Sequence, residues 1–219
     1  MSTAAKPMFL NLYKAWTDRE PRDPGLRVWT SALKAWQLVW PLHAVVLEIG
    51  CQDTDWLTLA HMYDPTITPA GLDWRPPRKG PGKRIQGDVL TVDFPPASVD
   101  VIVMLSTLEH IGLGHYYHDP LAEDGDTRTL QRCREWLKPM GWVYADVPYN
   151  PNGYHVHGTK HRIYDDAAIE TRLQVPGLHG GPRMYANLAG DQIAKPVAGE
   201  PVPSAKNHVY VALTWQKRG

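Results

Sequence analysis

The chain has few cysteines and no long apolar run. Its two cysteines, Cys51 and Cys133, lie far apart in the 219 residues, so they indicate neither a disulfide framework nor a zinc site. No run of about 18 apolar residues could span a bilayer, and the first residues lack the apolar core of a signal peptide. The sequence therefore predicts a cytoplasmic protein without a membrane partner.

The chain also has no net charge, because 23 basic residues balance 23 acidic ones. It therefore has no overall electrostatic field that attracts nucleic acid, although zero net charge is compatible with a local basic patch that binds it. The length suits a single domain with a sizeable core. Nine tryptophans and twenty prolines indicate rigid loops and large aromatic side chains rather than disorder.

The stretch from residue 44 to residue 60 is typical of a buried strand that turns sharply into a helix. An apolar run at 44–47 is followed by Glu48 and Gly50, and then by a helical pattern that Asp53 or Thr54 could cap. Such a turn points backbone N–H groups at a ligand, and a glycine lets the ligand approach the main chain.

Further apolar runs end in acidic or polar residues. Asp73 follows the second run, Asp88 follows a third short strand, and Glu109 and His110 follow a strongly apolar fourth strand. A helix with Leu130, Cys133, Trp136 and Leu137 facing inward comes next, followed by a Pro-x-Gly turn and a fifth strand. Residues 208–215 predict a last, antiparallel strand, and Asp165 or Asp166 predicts the cap of a short helix.

The order and spacing of residues 42 to 150 resemble those of the class I S-adenosylmethionine-dependent methyltransferases. The stretch after the fourth strand looks like a poorly characterised bacterial branch of that superfamily. The resemblance implies an α/β, Rossmann-like fold with a mostly parallel central sheet and an antiparallel last strand. One domain would comprise an N-terminal arm and helix (1–41), a cofactor-binding core (42–150), and a substrate-side insert with the last strand (151–219).

The resemblance also implies S-adenosyl-L-methionine as the cofactor. Its contacts would come from the strand ends, with Asp73 on the ribose hydroxyls, Asp88 on the adenine amino group and Ser106 near the methyl donor. Trp74 would lie either against the adenine or in the shortened crossover that follows it. The full set of expected cofactor contacts is Glu48, Gly50, Cys51, Asp73, Trp74, Asp88, Val89 and Ser106.

His110 is the candidate general base, with Glu109 orienting its ring, although His110 could instead form a structural hydrogen bond at a helix start. Residues that could grip an acceptor are His115, Tyr116, His157, His161 and Arg162. The polar cluster from His115 to Asp126 matches no metal motif, and we interpret it as a solvated lid rather than a metal site.

Two features depart from the family pattern. Gln52 and Thr54 stand where the family has glycines, and their larger side chains narrow the space near the amino-acid end of the cofactor. Residues 74–83 form an unusually short, basic crossover between two parallel strands. DVPY at 146–149 resembles a signature of DNA amino-methyltransferases but ends the wrong strand. We therefore expect a methyltransferase for a small or mid-sized acceptor, with oxygen preferred. The alternatives are an inactive binding or assembly subunit and a nucleic-acid methyltransferase that uses the basic segment.

Overall fold

The computed structural model describes residues 40–52, 56–76, 79–115, 120–187, 192–201 and 209–218. The expected N-terminal helix, the two candidate cap residues of the first helix and Tyr116 lie outside these ranges. Within them, no helix is both long enough and apolar enough to cross a membrane.

The strands that form the parallel part of the main sheet come first along the chain. They are β1 (Val45–Ile49), β2 (Thr68–Asp73), β3 (Lys83–Gln86), β4 (Val99–Met104) and β5 (Leu137–Tyr149). Strands β6 (His155–His157) and β7 (His161–Ile163) form a separate hairpin. The remaining strands are β8 (Leu178–Gly180), β9 (Met184–Ala186), β10 (Gln192–Ile193) and β11 (Val209–Lys217).

The main sheet has the order β10-β9-β11-β5-β4-β1-β2-β3, and β8 also pairs with β11. Strands β3, β2, β1, β4 and β5 run parallel, whereas β11 runs antiparallel to β5. The structure confirms the α/β fold with a mostly parallel sheet and an antiparallel last strand. Because the parallel strands all end at the same side of the sheet, the loops that follow them form one rim, which we call the carboxyl edge.

Apolar side chains alternate between the two faces of the central strands. Helix α1 (Trp56–Tyr63) packs through Trp56 and Leu57 against one face, which includes Val46 and Val103. The larger core on the other face contains Leu47 and Ile102, and helix α2 (Gly125–Trp136) covers it with Leu130, Cys133 and Trp136. Leu137, predicted in the same stripe, is buried but begins β5. Helix α3 (Asp166–Arg172) begins after Asp165, whose side chain accepts a hydrogen bond from the Ala168 N–H.

One local prediction is misplaced along the chain. The Pro-x-Gly segment does not precede the fifth strand but lies within β5, where Met140 has a left-handed conformation at φ 66° and the register with β4 shifts. Short strands β8, β9 and β10 lie in a region that shows no sequence period, since strands of two or three residues are too short to produce one.

Gly50 joins the ends of three strands at the carboxyl edge. Its N–H donates to the Leu72 carbonyl at the end of β2, and its φ of 82° lies in the left-handed region. A Cβ at this position would lie 2.2 Å from the Thr107 Oγ1 in the loop after β4. Glycine is therefore required both by the backbone conformation and by the close packing of two loops.

We predict that Gly50→Ala destabilises the protein, because it adds both the left-handed strain and a steric clash. The free energy of unfolding should fall by about 2 to 4 kcal/mol in urea denaturation. Gly180→Ala is the matched control, since no atom lies within 4 Å of a Cβ built there, and it should change stability by less than about 0.5 kcal/mol. Equal effects of the two substitutions would contradict this account of Gly50.

Candidate functional site

Asp73 lies buried at the end of β2 and is held from two directions. The Gln52 N–H, from the turn after β1, donates to Asp73 Oδ2 at 3.0 Å. Arg75 donates to the same carboxylate through its own N–H and through its guanidinium. The carboxylate thus lies at the carboxyl edge, fixed beside the turn that contains Gly50.

Glu48 and Cys51 lie next to this position but deeper in the fold. Glu48 is fully buried and pairs in register with Gly71, which pairs in turn with Arg84. Because Gly71 has no side chain, Arg84 reaches across β2 and hydrogen-bonds the Cys51 thiol. Burial, and then the charge of Glu48, raises the pKa of Cys51 to about 11, so the thiol stays protonated at neutral pH.

Asp88 lies beside Asp73, because the Gly87 N–H donates to the Asp73 carbonyl. Asp88 Oδ1 accepts from the Leu90 N–H at 2.9 Å. Among the described residues, no hydrogen bond to Asp88 Oδ2 is found. Val89 contributes its side chain to the larger core, whereas Trp74 is 37% exposed on the rim.

The loop after β4 is tied to the end of β5. Ser106 has a left-handed φ of 44°, and both its N–H and its hydroxyl donate to the buried Asp146. From the sequence, Asp146 is only the first residue of the DVPY tetrapeptide and has no predicted role. Its position near the end of a buried strand is the signal that could have identified it.

His110 is oriented by the main chain of the hairpin. Its Nδ1 lies 2.5 Å from the Lys160 carbonyl oxygen. Because a carbonyl only accepts, Nδ1 carries the proton, and the neutral ring keeps its lone pair on Nε2. Glu109 Oε1 lies 3.7 Å from Nε2, so a proton gained there would be stabilised by the neighbouring carboxylate.

The predicted acceptor-binding histidines approach His110 from the β6–β7 hairpin. The ring centroid of His161 lies 5.9 Å from that of His110, and His157 stacks on His161 at 5.3 Å. His115 lies 3.3 Å from the Thr159 hydroxyl. Within the described part of the chain, no group of three or more His, Cys, Asp or Glu side chains is placed to hold a metal ion.

The expectation that Arg162 grips an acceptor does not agree with its position. Its side chain is 1% exposed, and its guanidinium donates to the carbonyls of Ile111 and Glu123. The Arg162 N–H also donates to the Glu109 carbonyl. Arg162 therefore fixes the loop after β4 to the hairpin, because a buried guanidinium needs acceptors and the loop carbonyls supply them.

Asp126 completes this attachment as a buried carboxylate at the start of α2. It accepts hydrogen bonds from the Tyr164 hydroxyl and from the Arg172 guanidinium. Burial, followed by the charge of Asp126, raises the pKa of Tyr164 well above its ordinary value. The cluster connects α2, β7 and α3, and so holds Glu109 and His110 in place.

The chain matches the sequence profile of one family over residues 94–175, and that family is described as a Caenorhabditis protein of unknown function, DUF268. The matched segment contains β4, His110, the hairpin and α3, but not the turn after β1. A search of curated proteins finds none that matches the chain. The expected bacterial branch stays a prediction.

Three solved structures illustrate what the fold resembles. A 1,6-didemethyltoxoflavin-N1-methyltransferase of Burkholderia thailandensis, with S-adenosylhomocysteine bound, is 17% identical with a TM-score of 0.61, over 96% of this chain and 84% of that chain. A TehB-like S-adenosylmethionine-dependent methyltransferase of Corynebacterium glutamicum is 13% identical with a TM-score of 0.56, over 96% of this chain and 98% of that chain. The [4+2]-cyclase SpnF is 15% identical with a TM-score of 0.59, over 86% of this chain and 80% of that chain. This chain has the Rossmann-like fold of the class I S-adenosylmethionine-dependent methyltransferases.

Proposed function

We propose that this chain binds S-adenosylmethionine at the carboxyl edge and transfers the methyl group to a small or mid-sized acceptor. The observation that carries the proposal is the buried Asp73 carboxylate, held at the end of β2 by the Gln52 N–H from the turn after β1. A carboxylate in this position of a nucleotide-binding α/β fold suits the two hydroxyls of a ribose.

The other side chains of the edge fit the same cofactor. Asp88 has one carboxylate oxygen occupied by the Leu90 N–H, and its second oxygen could accept a hydrogen bond from an adenine amino group. Trp74 presents a partly exposed ring next to Asp73. Glu48 would contribute its charge from beneath the turn rather than through a direct contact, because it is fully buried on the α1 face.

S-adenosylmethionine, when bound, supplies an electrophilic methyl group. His110 would then take the proton of an acceptor hydroxyl at Nε2, while the Lys160 carbonyl holds the proton at Nδ1. Glu109 would stabilise the resulting imidazolium. His157 and His161 line the approach to His110 and would contact the acceptor. An oxygen acceptor is preferred because a hydroxyl must lose its proton as it attacks the methyl group, whereas a neutral amine can attack through its own lone pair.

A nucleic-acid acceptor is less favoured by the positions of the basic residues. Arg75 binds Asp73 and Arg84 reaches the Cys51 thiol, so two cations of the basic segment are used within the fold. Lys79 and Lys83 remain exposed. Among the described residues of this segment, the two exposed lysines provide only a weak phosphate-binding rim, and Arg78 lies outside the described residues.

The second candidate is a binding or assembly subunit without transferase activity. The buried Gln52 side chain at a position where the family has glycine favours it. The solved [4+2]-cyclase with this fold also illustrates that a fold alone does not determine the reaction. Cofactor binding at full affinity, without methyl transfer to any acceptor in a broad screen, would favour this candidate over the transferase.

Calorimetry with S-adenosylmethionine tests the cofactor. We expect micromolar binding, and Asp73→Ala should weaken it by about 1 to 3 kcal/mol through the lost charge-assisted hydrogen bonds. Asp93→Ala is the control, because Asp93 is an exposed carboxylate in the loop after β3. Unchanged affinity in Asp73→Ala would refute the ribose assignment, and a wild-type protein that binds no cofactor would refute the proposal as a whole.

The role of His110 is tested by turnover once an acceptor has been found by following S-adenosylhomocysteine release. His110→Gln should lower kcat by a factor of about 10² to 10⁴ while cofactor affinity stays near that of the wild type. His155→Gln provides the control, since His155 is an exposed histidine of the same hairpin. Turnover in His110→Gln equal to that of the control would remove His110 as the base.

A further inference from the structure

Hydrogen bonds within the protein occupy every acceptor site of the Asp73 carboxylate. A carboxylate offers about four lone-pair sites, and hydrogen bonds account for all of them. Oδ1 accepts from the Arg75 N–H and Nε, both at 2.9 Å, and Oδ2 accepts from the Gln52 N–H and the Arg75 Nη2, both at 3.0 Å. Two of these donors are therefore main-chain groups, and the other two belong to one guanidinium.

The two kinds of donor differ in how easily they can leave. The Gln52 N–H belongs to the turn that Gly50 fixes against β2 and Thr107. The Arg75 N–H is two residues from Asp73 and closes a local turn on the carboxylate. The guanidinium stands at the end of a flexible side chain that is 20% exposed, so it can turn into solvent at moderate cost.

A ribose presents two neighbouring hydroxyls and would need two acceptor sites on this carboxylate. We infer that the Arg75 guanidinium competes with the ribose for Asp73, so that Arg75 is a residue that lowers the affinity of this site for its nucleoside ligand. The inference rests on the proposed function, because that function places a ribose on Asp73.

In the free protein, the Arg75 guanidinium occupies the acceptor sites of Asp73 that the ribose needs and neutralises the carboxylate. When the ligand binds, the two ribose hydroxyls replace the two hydrogen bonds from the guanidinium. Losing the arginine removes the competitor but leaves both main-chain donors in place. An arginine that merely positioned Asp73 would have the opposite effect, since its loss would loosen the carboxylate and weaken binding.

Calorimetry with S-adenosylhomocysteine distinguishes the two roles. Arg75→Ala should bind about three- to tenfold more tightly than the wild type, as expected for removing a partly exposed ion pair. Arg75→Gln keeps a polar side chain that is shorter and has no charge, and it should also bind more tightly. Lys83→Ala is the control for the loss of a nearby charge, because Lys83 is an exposed cation on β3, and it should stay within about twofold of the wild type. Thermal unfolding verifies that each variant is folded.

Adenosine and 2′,3′-dideoxyadenosine identify the group that competes. The gain from Arg75→Ala should appear with adenosine and disappear with the dideoxy compound, which has no hydroxyls to offer Asp73. Equal or weaker binding of S-adenosylhomocysteine by folded Arg75 variants, beside a binding wild type, would overturn the inference while leaving the proposed cofactor intact. Binding by the Arg75 variants alone would support it most strongly. No binding by any variant would overturn the proposed function and this inference with it.

Discussion

The site depends on how the turn after β1 is fixed to its two neighbouring strands. Gly50 donates to the Leu72 carbonyl on one side and packs against Thr107 on the other, in a conformation that other residues adopt only with strain. This places the Gln52 N–H against Asp73. The carboxyl ends of β1, β2 and β4 are therefore held at one edge by short local contacts rather than by a distant framework.

A second set of contacts builds the other half of the edge. Asp126, Arg162 and Arg172 form a buried charge cluster, and removal of one partner from such a cluster leaves an uncompensated charge that is costly. Through the carbonyls of Ile111 and Glu123, the cluster holds the loop that contains His110. The family profile of unknown function matches this half, whereas Asp73 lies on the other. The proposed reaction needs both halves, one for the cofactor and one for the acceptor proton.

Much of this arrangement could be predicted from the sequence, because buried parallel strands appear as apolar runs and Asp73, Asp88 and His110 directly follow such runs. The last strand was equally clear from its β-branched and aromatic residues. Arg162 could not be placed in this way, because its acceptors are main-chain carbonyls of a distant loop. Every residue has such a carbonyl, so the sequence does not show which ones bind an arginine. The contact of Arg75 with Asp73 could also be predicted, because the two residues are only two positions apart, but the sequence pattern identified the arginine only as part of the basic crossover at 74–83.

The proposed function requires that the carboxyl edge forms an adenosine site in which Asp73 binds the ribose. A crystal structure of the chain with S-adenosylhomocysteine tests it most directly. We predict that both ribose hydroxyls lie at hydrogen-bond distance from Asp73, about 2.5 to 3.0 Å, and that the Arg75 guanidinium is displaced from the carboxylate. A ligand bound elsewhere, with the Asp73–Arg75 pair intact, would contradict it.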